Sequence, residues 1–267
     1  MSKEETLKYQ GDLCSFLCDY ACELIGAGGS GLRASKNVSR MAARFGCSCS
    51  LDISKSAVSI QLTSAENKLC AFRSKLIEHN SISFSKIRLL SSLSWDVTDK
   101  MLNLDQAFTR FYAITKDKPL NGQLVRILTC CANASFCELF GGDWLSMGVV
   151  FVATYVGFFI KQMLLKKKVN TFVTFAISAF IAALISSTTY IFHIGNTPDV
   201  AFGTSVLYLV PGIPYLNSVC DFFSGHIKLG TERIIDAILL TASLSLGFCQ
   251  FLGYIPLMQE FFIFGVV

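Results

Sequence analysis

The sequence predicts a membrane protein in two parts: an N-terminal α+β cytoplasmic domain over residues 1–120, then an all-α bundle of five transmembrane helices over 121–267. Three observations predict it. Charge is piled at one end: residues 1–119 hold 16 Lys+Arg and 12 Asp+Glu, whereas 120–267 hold 7 and 7. The first part changes its hydrophobic period from helical to alternating and back, as an α+β domain does. The second part runs in apolar stretches near the length of about 20 residues that a hydrocarbon core demands. The whole chain of 267 residues is 52% hydrophobic and 16% charged, against about 25% charged for a typical soluble domain. This composition excludes a disordered chain and an ordinary cytosolic enzyme. The net charge of +4 is small and spread out, which points away from nucleic acid.

Each element follows from local pattern. Leu13, Cys14, Leu17, Cys18, Ala21, Leu24 and Ile25 make an apolar stripe at helical spacing, with Asp12, Asp19 and Glu23 on the other side. Gly26–Gly31 (GAGGSG) ends that helix in a turn. It lacks the preceding strand and the GK[ST] ending of a phosphate loop. A basic helix is expected from Leu32 to Phe45, carrying Arg33, Lys36, Arg40 and Arg44 and stopped by Gly46. Then Cys47, Cys49, Leu51 and Ile53 alternate with polar residues, as do Val58, Ile60 and Leu62. The two runs read as a hairpin around Ser54-Lys55-Ser56. A third strand is expected near Leu69–Arg73, and helices near Ser85–Leu93 and Leu104–Thr115, with Lys116–Gly122 as the linker into the membrane.

There are 11 cysteines. Cys14, Cys18 and Cys22 share one helix face, and most of the others lie in apolar runs, so they read as reduced thiols acting as small hydrophobes. MSKEETLKYQGD is polar and no secretory signal is read in it, so the N-terminal domain is expected in the cytoplasm. His79, His193 and His226 are scattered, and no cysteine spacing suits a metal. Neither a metal nor a cofactor is expected.

Five spans are expected: 124–140, 144–165, 171–193, 200–219 and 234–256. The basic residues of the short loops (Lys116, Lys118 and Arg126; Lys161 and Lys166–Lys168; Lys228 and Arg233) all fall on one side if the N-terminus is cytoplasmic and the C-terminus outside. Within the fourth span, Leu209–Asn217 (LVPGIPYLN) holds two prolines and a glycine. Pro211 and Pro214 remove backbone donors and, with Gly212 between them, break the helix, and such breaks in lipid line cavities and build transporter substrate sites. Asn217 and Asp221 follow at i, i+4 on one face. Phe140–Trp144 (FGGDW) is a tight turn, with Asp143 placed to cap the second span and Trp144 suited to the interface. No catalytic constellation is present. Ser30 and Ser35 have no histidine but His79 in their domain, so a membrane-bound hydrolase and enzyme function in general are set aside.

The runs FCELFGGDW (136–144), Asn170, Asn196-Thr-Pro198, LVPGIPYLNSVCDFFSGHIKLGTER (209–233) and GLRASKNVSRMAARFG (31–46) resemble the threonine/serine exporter (ThrE) family, in its short YjjP-like branch. The resemblance implies an inner-membrane exporter subunit for small polar metabolites, either threonine/serine-type amino acids or a dicarboxylate such as succinate. It also implies a separate small YjjB-like membrane subunit. The family pattern marks Asp143, Asn170, Pro211, Gly212, Pro214, Asn217, Asp221 and Gly225 in the membrane half, and Arg33 and Arg40 before it. Where the family's first motif reads Arg-Val-Glu, this chain has Arg33-Ala34-Ser35, so a carboxylate partner for Arg40 is absent there.

The expected mechanism is export along a path lined by the broken fourth helix. The amides after Pro214 and the Asn217 side chain would bind a substrate carboxylate, and Asp221 would accept an ammonium group or a proton. Asn170 completes the expected binding set, with Arg126 as a second carboxylate partner. Asp143, Gly225, Arg33 and Arg40 are expected to gate or to hold the structure. The expected partners are a small-molecule substrate, the YjjB-like subunit and the lipid bilayer, with the oligomeric state left open. The rival reading is a membrane-anchored interaction or regulatory protein whose soluble domain binds a partner.

Overall fold

The computed structural model describes residues 3–64, 69–78, 82–116 and 120–252. They are mostly helical, with one small sheet near the N-terminus. The chain forms two compact units: Met1–Pro119 with Ile213–Ile235, and Leu120–Gly212 with Asp236–Val267.

The first unit begins with α1 (Lys3–Gly26) and α2 (Gly31–Arg44). Strands β1 (Cys47–Ile53), β2 (Ala57–Ser64) and β3 (Leu69–Leu76) follow, then α3 (Phe84–Asp99) and α4 (Leu104–Thr115). The sheet is antiparallel in the order β1-β2-β3, and the β1–β2 hairpin sets Ile53 opposite Val58 and Cys47 opposite Ser64. Alternation decides which face is covered: Val58, Ile60 and Leu62 are buried, while Gln61 between them is exposed.

The sheet and α3–α4 cover α1 on two sides. Its predicted stripe is buried, and so are Phe16 and Tyr20. The stripe faces the sheet, where the Cys14 and Cys18 thiols donate to the carbonyls of Ile60 and Val58. Burial pushes the Cys14 pKa up to about 11, so it remains a thiol and a donor. Phe16 meets Phe108 and Phe111 edge-on, at centroid distances of 5.0 and 5.9 Å. The Tyr20 hydroxyl donates to Leu90 O at 2.8 Å and accepts from Asn37 Nδ2 at 2.9 Å. Burial raises its pKa well above the usual range. An amphipathic pattern marks one face only; the second buried face of α1 is supplied by α3 and α4, far away in sequence.

The second unit holds α5 (Gly122–Leu139), α6 (Trp144–Lys166), α7 (Thr171–Ser186), the short α8 (Thr188–Ile191) and α9 (Pro198–Thr204). A 3-10 turn (Leu207–Leu209) comes next. Helices α10 (Gly212–Phe223) and α11 (Ile227–Leu252) both run from one unit into the other. Among the described residues, two segments are long and apolar enough to cross a membrane: Trp144–Lys166 with mean hydropathy 1.7, and Thr171–Ile191 with 1.8. A third joins them if Pro198–Leu209 and Gly212–Phe223 count as one broken span. The third expected span is interrupted at Ser187, where α7 gives way to α8, and His193 has a positive φ of 50°. The break in the fourth falls at Val210–Pro211. Residues 117–119 of the expected linker and everything beyond Leu252 lie outside the described residues.

The sequence reading assigns all of 121–267 to the membrane part; in the structure Ile213–Ile235 groups with the N-terminal unit. Leu229 is the apolar reason, fully buried in the core that α1–α4 and the sheet build. Replacing Leu229 by Ala is expected to lower the stability of the detergent-solubilised chain by roughly 2–5 kcal/mol in denaturant unfolding. Leu229→Met should stay within about 1.5 kcal/mol of the parent.

Candidate functional site

The LVPGIPYLN stretch makes α10 start and stop sharply. Pro211 donates no backbone bond, and Gly212 N turns back to Val210 O at 2.9 Å. Pro214 falls in the first turn of α10, where a missing N–H leaves no intrahelical bond unmade. At the other end Gly225, at φ +82°, occupies the left-handed position after the helix. Gly225 N donates to Phe222 O and His226 N to Asp221 O, the paired bonds of a Schellman stop. Between these ends α10 carries Asn217, Ser218 and Asp221.

The GAGGSG loop uses the same device. With Gly28 at φ +92°, Gly28 N donates to Ile25 O and Gly29 N to Leu24 O, which ends α1. Ser30 then caps α2 by accepting from Arg33 N. The loop is gripped from α10 and α11. Asn217 Nδ2 donates to Gly28 O at 2.9 Å, and Gly31 N donates to Asp221 Oδ1 at 2.8 Å. Arg233 donates through Nη1 to Asp221 Oδ2 at 2.5 Å and through Nη2 to Gly29 O at 2.7 Å. Asp221 is fully buried, and the Arg233 side chain is 12% exposed. The carboxylate also sits at the first residue of α2, where unpaired amides and the helix dipole favour a negative charge. Gly31 leaves room for this approach, since a Cβ there would lie 3.0 Å from the His226 ring and 3.1 Å from Leu229. Ser218 Oγ donates to Gly230 O at 2.9 Å, tying α10 to α11, and Glu232 accepts from Lys55 N at the hairpin turn.

Both oxygens of Asp221 are therefore engaged. Asn217 spends its Nδ2 on Gly28, and its Oδ1 accepts nothing among the described residues. Arg33 is exposed on α2. Arg40 donates to Ser94 Oγ at 2.8 Å and Asn37 Oδ1 at 3.3 Å, with its guanidinium carbon 3.5 Å from the Trp95 ring centre. Neutral groups and a ring face serve Arg40, and Ser35 lies nearby in sequence where the motif would carry a glutamate.

In the second unit Asp143 caps α6 by accepting from Ser146 N at 2.9 Å. Its carboxylate also accepts from Asn196 N at 2.8 Å and Thr197 Oγ1 at 3.1 Å. Gly195 has φ +79°, and a Cβ there would lie 2.6 Å from Asp143 Oδ2. The FGGDW and Asn196-Thr-Pro198 motifs thus close on each other. Ser146, the Asn196 amide and Thr197 hold the Asp143 pKa down at about 2. Asn170 caps α7, accepting from Phe172 N at 2.9 Å. Arg126 donates to Gln162 Oε1 from Nε and Nη2, and lies over the rings of Tyr155 and Phe159. Pro211 is buried. Asn217 and Asp221 share one site, while Arg126, Asn170 and Asp143 lie in the other unit. Sequence reasoning missed Arg233 as a partner of Asp221, because it had been read as a loop charge.

Two measurements check this geometry. Asp221→Asn leaves Arg233 without its counter-ion and is expected to destabilise the chain by roughly 3–5 kcal/mol in denaturant unfolding. Asp143 has a folded pKa below its unfolded value of about 3.9. Its contribution is therefore fully present above pH about 4 and is lost as pH falls through about 2. The stability gap between the parent and Asp143→Asn should be flat from pH 8 to 5 and narrow between pH 4 and 2.

The ThrE family model, described as "Putative threonine/serine exporter", matches residues 16–253. The chain is 31% identical over 216 residues to "Probable succinate transporter subunit YjjP" of Klebsiella aerogenes, covering 79% of this chain and 83% of the relative. It is 29% identical to the protein of the same name in Escherichia coli, with the same coverage. It is 23% identical over 203 residues to "Probable threonine/serine exporter" of Mycobacterium tuberculosis, covering 74% of this chain and 38% of that one. No solved structure matches. The chain is a membrane protein of the transporter class and not an enzyme, and it belongs to the threonine/serine exporter (ThrE) family.

Proposed function

We propose that the chain is the larger subunit of an inner-membrane exporter of small carboxylate-bearing metabolites, either threonine/serine-type amino acids or a dicarboxylate such as succinate. It works with a separate small YjjB-like membrane subunit. The observation that carries this is the match to two relatives named as transporter subunits, covering 83% of each, against 38% of the longer exporter. In this reading residues 1–120 stay in the cytoplasm, 121–267 supply five spans, and the C-terminus lies outside. The basic loops support that orientation.

The break at Pro211, Gly212 and Pro214 gives the substrate its opening. The first turn of α10, with the Gly212 amide spent on Val210 O and no N–H at Pro214, offers the Ile213 amide to a carboxylate. The uncommitted Oδ1 of Asn217 accepts from an ammonium or hydroxyl group. Asp221 acts through others, holding Gly31 and Arg233 in place. Arg126 and Asn170 are further contacts for the substrate.

Efflux tests the reading. Cells expressing this chain with the small subunit should lose succinate, threonine or serine to the medium faster than cells with either protein alone. Asn217→Ala should slow export by about tenfold, the scale of one hydrogen bond to a charged group. The double change Pro211→Ala/Pro214→Ala should do the same at normal protein levels. Unchanged export by these variants would overturn the site assignment, and no efflux of any of the three from the pair would overturn the function.

A further inference from the structure

The second unit contains buried polar atoms that make no hydrogen bond. Asn133 on α5 is 2% exposed; its Nδ2 donates to Thr154 Oγ1 at 2.7 Å and to Thr204 O at 3.1 Å, but its Oδ1 has no partner. Ser178 on α7 is fully buried and its hydroxyl has no partner. The same holds for the buried hydroxyl of Tyr208, in the 3-10 turn. Orphaned groups of this kind are costly, and a native chain keeps few of them without a use.

Their residues approach one face of α6, Asn133 and Tyr208 through the side chain and Ser178 through its backbone carbonyl. Thr154 meets Asn133. One turn on, Gly157 is the site where a Cβ would collide with the Tyr208 hydroxyl and lie 3.2 Å from Ser178 O. One further turn, about 5.4 Å along the axis, brings Lys161. Its Nζ is 4.2 Å from the ring centre of Phe175, one turn before Ser178 on α7, and 5.8 Å from that of Phe158. Phe158 in turn lies 6.0 Å from the Tyr208 ring. Among the described residues no carboxylate pairs with Lys161. A lysine inside a span defaults to function when its charge is turned inward and unmatched.

We propose that the buried face of α6 is a carboxylate-binding track, in which Lys161 supplies the charge, and Tyr208 and Ser178 supply hydroxyl donors. The chemistry selects an anion with further oxygens: the ammonium and two hydroxyls satisfy a carboxylate, and Asn133 Oδ1 accepts a hydroxyl or ammonium group farther along. Aromatic walls at Phe158 and Phe175 keep water off the charge. This deepens the exporter reading and rests on it for the direction of transport, but binding can be measured without transport.

The test is succinate and threonine binding to the purified full chain in lipid nanodiscs, with uncharged 1,4-butanediol as the control. The parent should bind at least one of the two acids and not the diol. Lys161→Gln should raise its Kd by about tenfold or more, the scale of one lost charge-assisted hydrogen bond, and Lys161→Arg should retain binding. Tyr208→Phe and Ser178→Ala each delete an orphaned hydroxyl, so both should fold at least as stably as the parent while binding severalfold more weakly. A parent that binds neither acid overturns the track, as does Lys161→Gln or Tyr208→Phe binding at parental affinity. Parental affinity in Lys161→Gln marks Lys161 as a snorkelling anchor. Efflux that persists in the Lys161→Gln chain overturns the track and leaves the exporter reading standing. Lack of efflux in the parent strikes the exporter reading alone.

Discussion

A carboxylate with no exposure to water dictates the arrangement around it. Removing an ion such as Asp221 from solvent costs several kcal/mol unless a counter-ion and donors replace the water. The replacements here are Arg233 and the amide of Gly31. Each is useful only if its own backbone is fixed. Arg233 is fixed by its second bond to Gly29 O, and Gly31 by the cap of α2. The α1–α2 loop must therefore have one conformation, which the positive φ of Gly28 permits and Asn217 holds. Leu229 fills the core beside it. The ends of α10 and the start of α11 are positioned by this set of constraints, and the polar face after the proline break inherits that position.

The second unit applies the same rule and then departs from it. Asp143 is fully satisfied by Ser146, Asn196 and Thr197, so the GGDW turn is a closed structural joint. Asn133, Ser178 and Tyr208 are not satisfied, and Lys161 faces rings instead of a carboxylate. A chain that satisfies its carboxylates so completely at Asp143 and at the buried Asp221 leaves these groups without partners among the described residues.

Much of the first unit was legible in the sequence because its signals are local. The stripe from Leu13 to Ile25 is buried as its spacing requires, and the β1–β2 hairpin turns at Ser54–Ser56 as the change of period requires. The burial of Phe16 and Tyr20 was not legible, because it depends on α3 and α4 far along the chain. Gly26–Gly31 read as a turn and nothing more; that its amide and carbonyls meet residues about 190 positions later is a tertiary fact. In the candidate site, Asn217 and Asp221 were found from the proline break and the i, i+4 spacing. Arg233 was passed over because a positive charge in a loop already had a topological explanation. Lys161 was passed over for the same reason.

The claim on which the rest stands is that Asp221 fastens the α1–α2 loop. Hydrogen exchange followed by mass spectrometry on the full chain and its Asp221→Ala variant addresses it directly. The account predicts slow exchange in peptides covering 28–34 of the parent and a clear loss of protection there in the variant, while β1 and β2 keep theirs. Equal protection of 28–34 in the two chains, with the variant still folded, would contradict it.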